Sequence, residues 1–184
     1  MELKLISAEE RRLLRPLKRL YLSAFPRCER KPFGLLLKNR REGKAEILAA
    51  LDGEGEFCGL AILHFSGDLV LLAYFAVSPS ARGRGIGSGL LRLLLSRYAD
   101  RRFFLEIERV DLGRDPSGIK ARRKNFYLRN GMDETGLIVR LFGVELEILS
   151  YRCAVTFEEY RALYRSVTGR IVDKNVLPLE RTTP

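Results

Sequence analysis

The chain has 184 residues, 46% of them hydrophobic and 30% charged, with a formal net charge of +10. That length suits one domain with a substantial core, and the balance excludes a disordered or fibrous chain. No apolar run nears the roughly 18–20 residues that a membrane helix requires.

One histidine, His64, and three scattered cysteines, Cys28, Cys58 and Cys153, give no metal-ligand spacing. The cysteines read as reduced thiols, and Met-Glu-Leu-Lys-Leu-Ile at the start lacks the basic region and apolar core of a signal peptide. The expected location is the cytoplasm. Basic groups lie at Arg11-Arg12, Lys38 to Arg41, Arg101-Arg102 and Arg122-Arg123-Lys124. With no arginine-rich tail or recognition motif, they read as a solvated surface rather than a nucleic-acid site.

In chain order, Leu3 to Ile6 predicts an edge strand. Ser7-Ala-Glu-Glu10 has capping-box spacing, ahead of a helix whose apolar face is Leu13, Leu14, Leu17, Leu20 and Tyr21. The polar, proline-flanked segment Phe25 to Phe33 is a loop of the kind that lines substrate pockets. A second helix should run from Pro32 or Phe33 to about Arg41. Three strands follow: Ala45 to Leu51, Phe57 to Phe65 and Leu69 to Val77, joined by turns at Asp52-Gly-Glu-Gly55 and Ser66-Gly-Asp68.

Pro79 ends the third strand. From about Ile86 the apolar residues fall on one helical face, as Ile86, Leu90, Leu91, Leu94 and Tyr98. Between strand and helix sits Arg82-Gly-Arg-Gly-Ile-Gly87-Ser88. Glycines let a backbone approach a ligand closely, and a helix N-terminus offers unpaired N–H groups and a positive dipole end. Arg82 and Arg84 add full charges. Such a loop can seat a polyanion, most simply a pyrophosphate. It lacks the lysine of a Walker loop, and Ser88 and Leu90 break the dinucleotide fingerprint.

A strand at Phe103 to Val110 comes next. Asp111 to Ser117 is a loop in which Asp115-Pro116 fits a helix N-cap, and the helix closes at Asn130-Gly131. Strands at Glu134 to Phe142 and Val144 to Tyr151 turn near Gly143. Thr156-Phe-Glu-Glu159 opens a last helix by a second capping box. Residues 1–169 are expected to form the domain and residues 170–184 a peripheral tail.

Two segments carry a family resemblance. Arg82-x-x-Gly85-x-Gly87 after an aromatic strand resembles motif A of the GCN5-related N-acetyltransferases. Asn125-Phe-Tyr-Leu-Arg-Asn-Gly-Met132 resembles their motif B, with Met132 where phenylalanine is usual. The resemblance spans about Leu69 to Met132. It implies acetyl-coenzyme A as co-substrate, with its pyrophosphate on Arg82, Gly83, Arg84, Gly85, Ile86, Gly87 and Ser88. It also implies that the strand before the loop and the next strand splay apart, with the pantetheine arm paired to the backbone of Phe75, Ala76 and Val77. The leaving-group acid would be Tyr127, and Glu106 aligns with the family's occasional glutamate base.

By strand alternation Glu106 and Glu108 share one face, opposite the apolar Phe103, Leu105 and Ile107. They are the candidates to take the amine's proton from an open face. Glu29, Arg30, Glu145 and Glu147 are candidates for acceptor contact, and His64 reads as structural. The expected fold is a single α/β domain with a mixed, mainly antiparallel sheet of six or seven strands and helices on both faces. The expected activity is transfer of an acetyl group to a primary amine, small molecule or peptide. A coenzyme-binding sensor without turnover and a basic nucleic-acid binder are the alternatives, and a homodimer stays open.

Overall fold

In a computed structural model of the chain, the described residues are 2–27, 29–110 and 118–179. Cys28 and the Asp115-Pro116 cap therefore lie outside them. Among the described residues, eight strands and five helices divide between two compact units. The first runs to Phe65 and adds Leu72–Arg97; the second is Ser66–Leu71 with the chain from Tyr98 onward.

The first unit holds β1 (Lys4–Ser7), α1 (Arg11–Ala24), α2 (Phe33–Arg41), β2 (Ala45–Leu51), β3 (Phe57–Ser66), the main part of β4 (Leu69–Val77) and α3 (Ile86–Arg97). Its strands lie in the order β1-β2-β3-β4, with β2 antiparallel to both β1 and β3. Because side chains alternate along a strand, β2 feeds two cores. Ile47, Ala49 and Leu51 pack with Leu13, Leu17, Leu20, Tyr21 and Leu36 from α1 and α2. Ala50 packs on the other face with Ile86 and Leu90 of α3.

The Ser7 capping box does not form. Helix α1 starts at Arg11 with Glu10 as an N-cap that makes no side-chain cap bond. Ser7 is held in the sheet opposite Leu48, and the Ala8 N–H donates to the Ile47 carbonyl. Ladder pairing takes the backbone that the box needed.

The second unit starts with the first residues of β4 and continues with β5 (Arg102–Glu108), α4 (Ile119–Arg129), β6 (Asp133–Leu141), β7 (Val144–Tyr151), α5 (Phe157–Thr168) and β8 (Val176–Leu179). The strand order there is β4-β5-β7-β6-β8, and the β5–β7, β7–β6 and β6–β8 pairs are antiparallel. Phe142 and Gly143, both at positive φ, make the two-residue turn between β6 and β7. The Thr156–Glu159 capping box is present in full.

Eight strands replace the expected six or seven, and the extra one comes from the stretch expected to be peripheral. Residues 170–174 form a short 3-10 turn that buries Val172, and β8 then pairs with β6 and buries Val176.

Candidate active site

In the first unit, β4 ends at Val77, Pro79–Ala81 make a 3-10 turn, and the glycine loop runs into α3. Gly83 and Gly85 have φ of +76° and +74°, which L side chains rarely adopt, and a Cβ built at either meets no atom within 4 Å. The glycines are therefore dictated by backbone conformation, and the space beside them is open. The first turn of α3 contains no acidic residue. Its leading N–H groups have no intrahelical acceptor and are available to an anion. Arg82 and Arg84 are exposed. Arg82 Nε donates to the Val77 carbonyl at 3.2 Å, tying the loop to the end of β4 while other guanidinium donors remain.

Phe75 and Val77 are half-buried against Ala81, Ile86 and Leu90, and Ala76 is half-buried on the opposite side of the strand. Sequence reasoning missed Gly59. A Cβ there would sit 2.7 Å from the Ala76 carbonyl oxygen, so only glycine lets β3 pass this close to the end of β4. Nothing in the sequence signals that contact.

The loop between α1 and α2 is fastened by two tyrosines. Tyr74 Oη donates to the Glu29 carbonyl and accepts from the Lys31 N–H, each at 3.0 Å, and Tyr21 Oη donates to the Lys31 carbonyl at 2.9 Å. Arg30 Nη1 donates to the Leu22 carbonyl at 2.9 Å. Glu29 and Arg30 thus sit on a backbone fixed from the core side.

The second unit holds the carboxylates. Glu106 is not on an open face. Tyr160 Oη of α5 donates to its Oε2 at 2.7 Å and Tyr164 Oη donates to its Oε1, from side chains that are completely buried. Burial, and then the Glu106 charge, push the Tyr160 phenol well above its ordinary pKa. Glu108 is paired with Lys120 at 2.8 Å and with Arg123 at 3.9 Å.

Tyr127 lies in the last turn of α4. Burial pushes its phenol up to about 12, opposed only in part by the Arg123 charge. Its carbonyl accepts from the Met132 N–H, while the Gly131 N–H donates to Leu128 and Gly131 has φ of +89°. That is a Schellman closure, with Met132 as its buried apolar plug. The Tyr-Leu-Arg-Asn-Gly-Met signature thus ends a helix and fixes the tyrosine's turn.

Glu145 is bound by Arg140 at 3.0 Å and Arg109 at 3.2 Å, which hold its carboxyl below the usual range in that order of effect. Glu147 accepts from Lys124 at 2.6 Å and from the Val110 N–H at 2.9 Å. Lys124, which the sequence reading placed on a solvated surface, is instead buried. Burial lowers its pKa, but Glu147 and Glu134 outweigh that and leave it raised. Among the described residues no group of His, Cys, Asp and Glu is arranged to hold a metal.

A family-wide comparison matches residues 14–132 to the acetyltransferase (GNAT) family. The chain belongs to that family. No curated protein matches it significantly. Among solved structures, a GNAT-family protein from Bacteroides thetaiotaomicron is 19% identical with a TM-score of 0.72, covering 92% of this chain and 99% of its own. The ribosomal-protein-S18-alanine N-acetyltransferase of Escherichia coli is 18% identical with a TM-score of 0.61, covering 84% of this chain and 96% of its own. Spermidine N-acetyltransferase from Vibrio cholerae, solved with CoA and spermine, is 16% identical with a TM-score of 0.61, covering 80% and 94%. At these identities the likeness establishes the GNAT fold.

Proposed function

We propose that this GNAT chain transfers an acetyl group from acetyl-coenzyme A to a primary amine. The observation that carries the reading is the Arg82–Ser88 loop: two exposed arginines alternating with two glycines in left-handed conformation beside open space, then a helix start without acids. That is the chemistry of a pyrophosphate seat. Arg82, Gly83, Arg84, Gly85, Ile86, Gly87 and Ser88 would hold the diphosphate, and the backbone of Phe75, Ala76 and Val77 the pantetheine arm.

In the reaction the amine nitrogen bonds to the thioester carbonyl carbon, the C–S bond breaks, the sulfur leaves as thiolate and the nitrogen sheds a proton. Tyr127 is the proposed donor to sulfur. A phenol near 12 is about 3.5 pK units weaker as an acid than a thiol of ordinary pKa near 8.5. Its contribution is therefore a hydrogen bond to the developing thiolate, which departs unprotonated while the phenol keeps its proton. Glu106 and Glu108 remain the proposed acceptors for the amine's proton.

One observation favours a second reading, a coenzyme-binding sensor. Both candidate bases are already engaged, Glu106 by two phenols and Glu108 by two cations. Calorimetric titration with acetyl-coenzyme A, native chain against Gly85→Glu, tests the seat: native binding that the variant loses supports it, and no binding by the folded native chain overturns it. Thioester loss across a panel of amines then separates transferase from sensor. The acceptor class is set by whichever amine accelerates that loss.

A further inference from the structure

Two basic groups that stand far apart in the sequence, Arg11-Arg12 and Lys38 to Arg41, meet in the first unit. Helices α1 and α2 are clasped at both ends. Tyr21 packs on Phe33 with ring centroids 5.7 Å apart, and at the other end Arg40 Nη1 donates to the Ala8 carbonyl at 2.7 Å. The C-terminal turn of α2 is thereby laid beside the start of α1. Residues 9–24 and 33–44 carry nine lysines and arginines against three glutamates, which is six of the chain's ten net positive charges.

The outer face of α1 is a continuous cationic stripe. Arg11, Arg15, Lys18 and Arg19 are exposed at successive turns, and among the described residues none is paired with a carboxylate. The helix contains no acidic residue at all. Cations in a first turn oppose the helix dipole, so the arrangement costs α1 local stability that an anionic partner would offset. Such a broken local rule points to use.

We infer that the outer face of α1, with the adjoining end of α2, binds the phosphate backbone of a nucleic acid without regard to sequence. Insertion into a membrane does not fit, because the apolar side of α1 (Leu13, Leu17, Leu20 and Tyr21) is spent on the core and only Leu22 is an exposed large apolar residue there. An arginine cluster also suits an acidic peptide, and the polyglutamate competition below distinguishes that occupant. Arginine predominates over lysine, as suits bidentate contact with phosphate oxygens. This role does not depend on acetyl transfer, and the surface is separate from the Arg82–Ser88 loop.

The test is fluorescence anisotropy with a labelled 20-nucleotide single-stranded RNA, from 50 to 200 mM salt, with coenzyme A saturating to occupy the glycine loop. The stripe variant is Arg15→Gln, Lys18→Gln, Arg19→Gln. A charge-matched control is Arg92→Gln, Arg122→Gln, Arg129→Gln, all exposed and elsewhere. Circular dichroism establishes that both are folded. Each neutralised phosphate contributes about 0.7 to the slope of log K against log salt on a single strand. The stripe variant should therefore lose about 2 from the slope, with the control close to native. Absence of native binding, equal weakening in the control, or equal displacement of the RNA by polyglutamate or anionic vesicles of matched charge each overturns the proposal.

Discussion

The hydroxyl of Tyr160 donates to Glu106 Oε2 across 2.7 Å, joining the first turn of α5 to β5. Tyr164, one helical turn on, takes the other carboxylate oxygen. Removing either phenol leaves a half-buried charge short of a partner. Tyr160→Phe should cost about 1–3 kcal/mol in urea unfolding, as expected when a hydrogen bond to a charged group is lost. A double-mutant cycle with Glu106→Gln should return a coupling of at least about 0.5 kcal/mol. An additive cycle would mean the three groups do not act together.

Tyr127 is protonated across the whole working range, because burial holds its phenol near 12. Tyr127→Phe should lower kcat by roughly ten- to a hundredfold with little change in coenzyme affinity, as for loss of a bond made only as the thiolate forms. Its titration should also be invisible between pH 6 and 10 in the native pH–rate profile. A basic limb near pH 9 that disappears in the variant would contradict this assignment.

His64 is fully buried in β3, and neither ring nitrogen has a partner of hydrogen-bond geometry. Burial first, then the Lys31 charge, pull its pKa down to about 3, with the Lys44 backbone opposing in part. The folded state thus keeps the ring neutral where the unfolded chain, near 6.5, takes up a proton. Its share of stability is complete above about pH 6.5 and is lost as pH falls toward 3. Between pH 7.5 and 5 the loss should be about 2 kcal/mol, read from denaturant midpoints. His64→Leu should flatten that slope; an equally steep slope in the variant would assign it to other groups.

Gly131 has φ of +89°, in the turn that closes α4. A Cβ there would meet only Tyr151 Cε2 at an ordinary 3.5 Å, so the penalty is conformational rather than steric. Gly131→Ala should cost about 1–2 kcal/mol and loosen the turn that holds Tyr127. Thermal unfolding reads the first effect, and near-ultraviolet dichroism of the tyrosines reads the second.

The glycine loop was legible because two short-range signals coincide there, the change of apolar period at Ile86 and the run of glycines. The two capping boxes show where such signals stop. Thr156 and Glu159 bond as their spacing predicts, but Ser7 is captured by β2, a competition that no local pattern contains. The engagement of Glu106 was equally hidden, since its partners lie 54 and 58 residues further on. Strand alternation placed Glu106 and Glu108 on one face, and only tertiary packing shows α5 lying over it. Strand β8 escaped notice because it is four residues long and contains Pro178, a residue that argues against a strand.

That proline bears on how the molecule behaves when concentrated. The sheet order begins with β1 and ends with β8, and each is only four residues long. Lys4 stands on one and Pro178, which has no N–H to offer a neighbour, on the other. Short margins bearing lysine or proline are poor templates for adding foreign strands. Among the described residues, neither margin therefore offers a long unpaired row of backbone groups on which a second chain could extend the sheet.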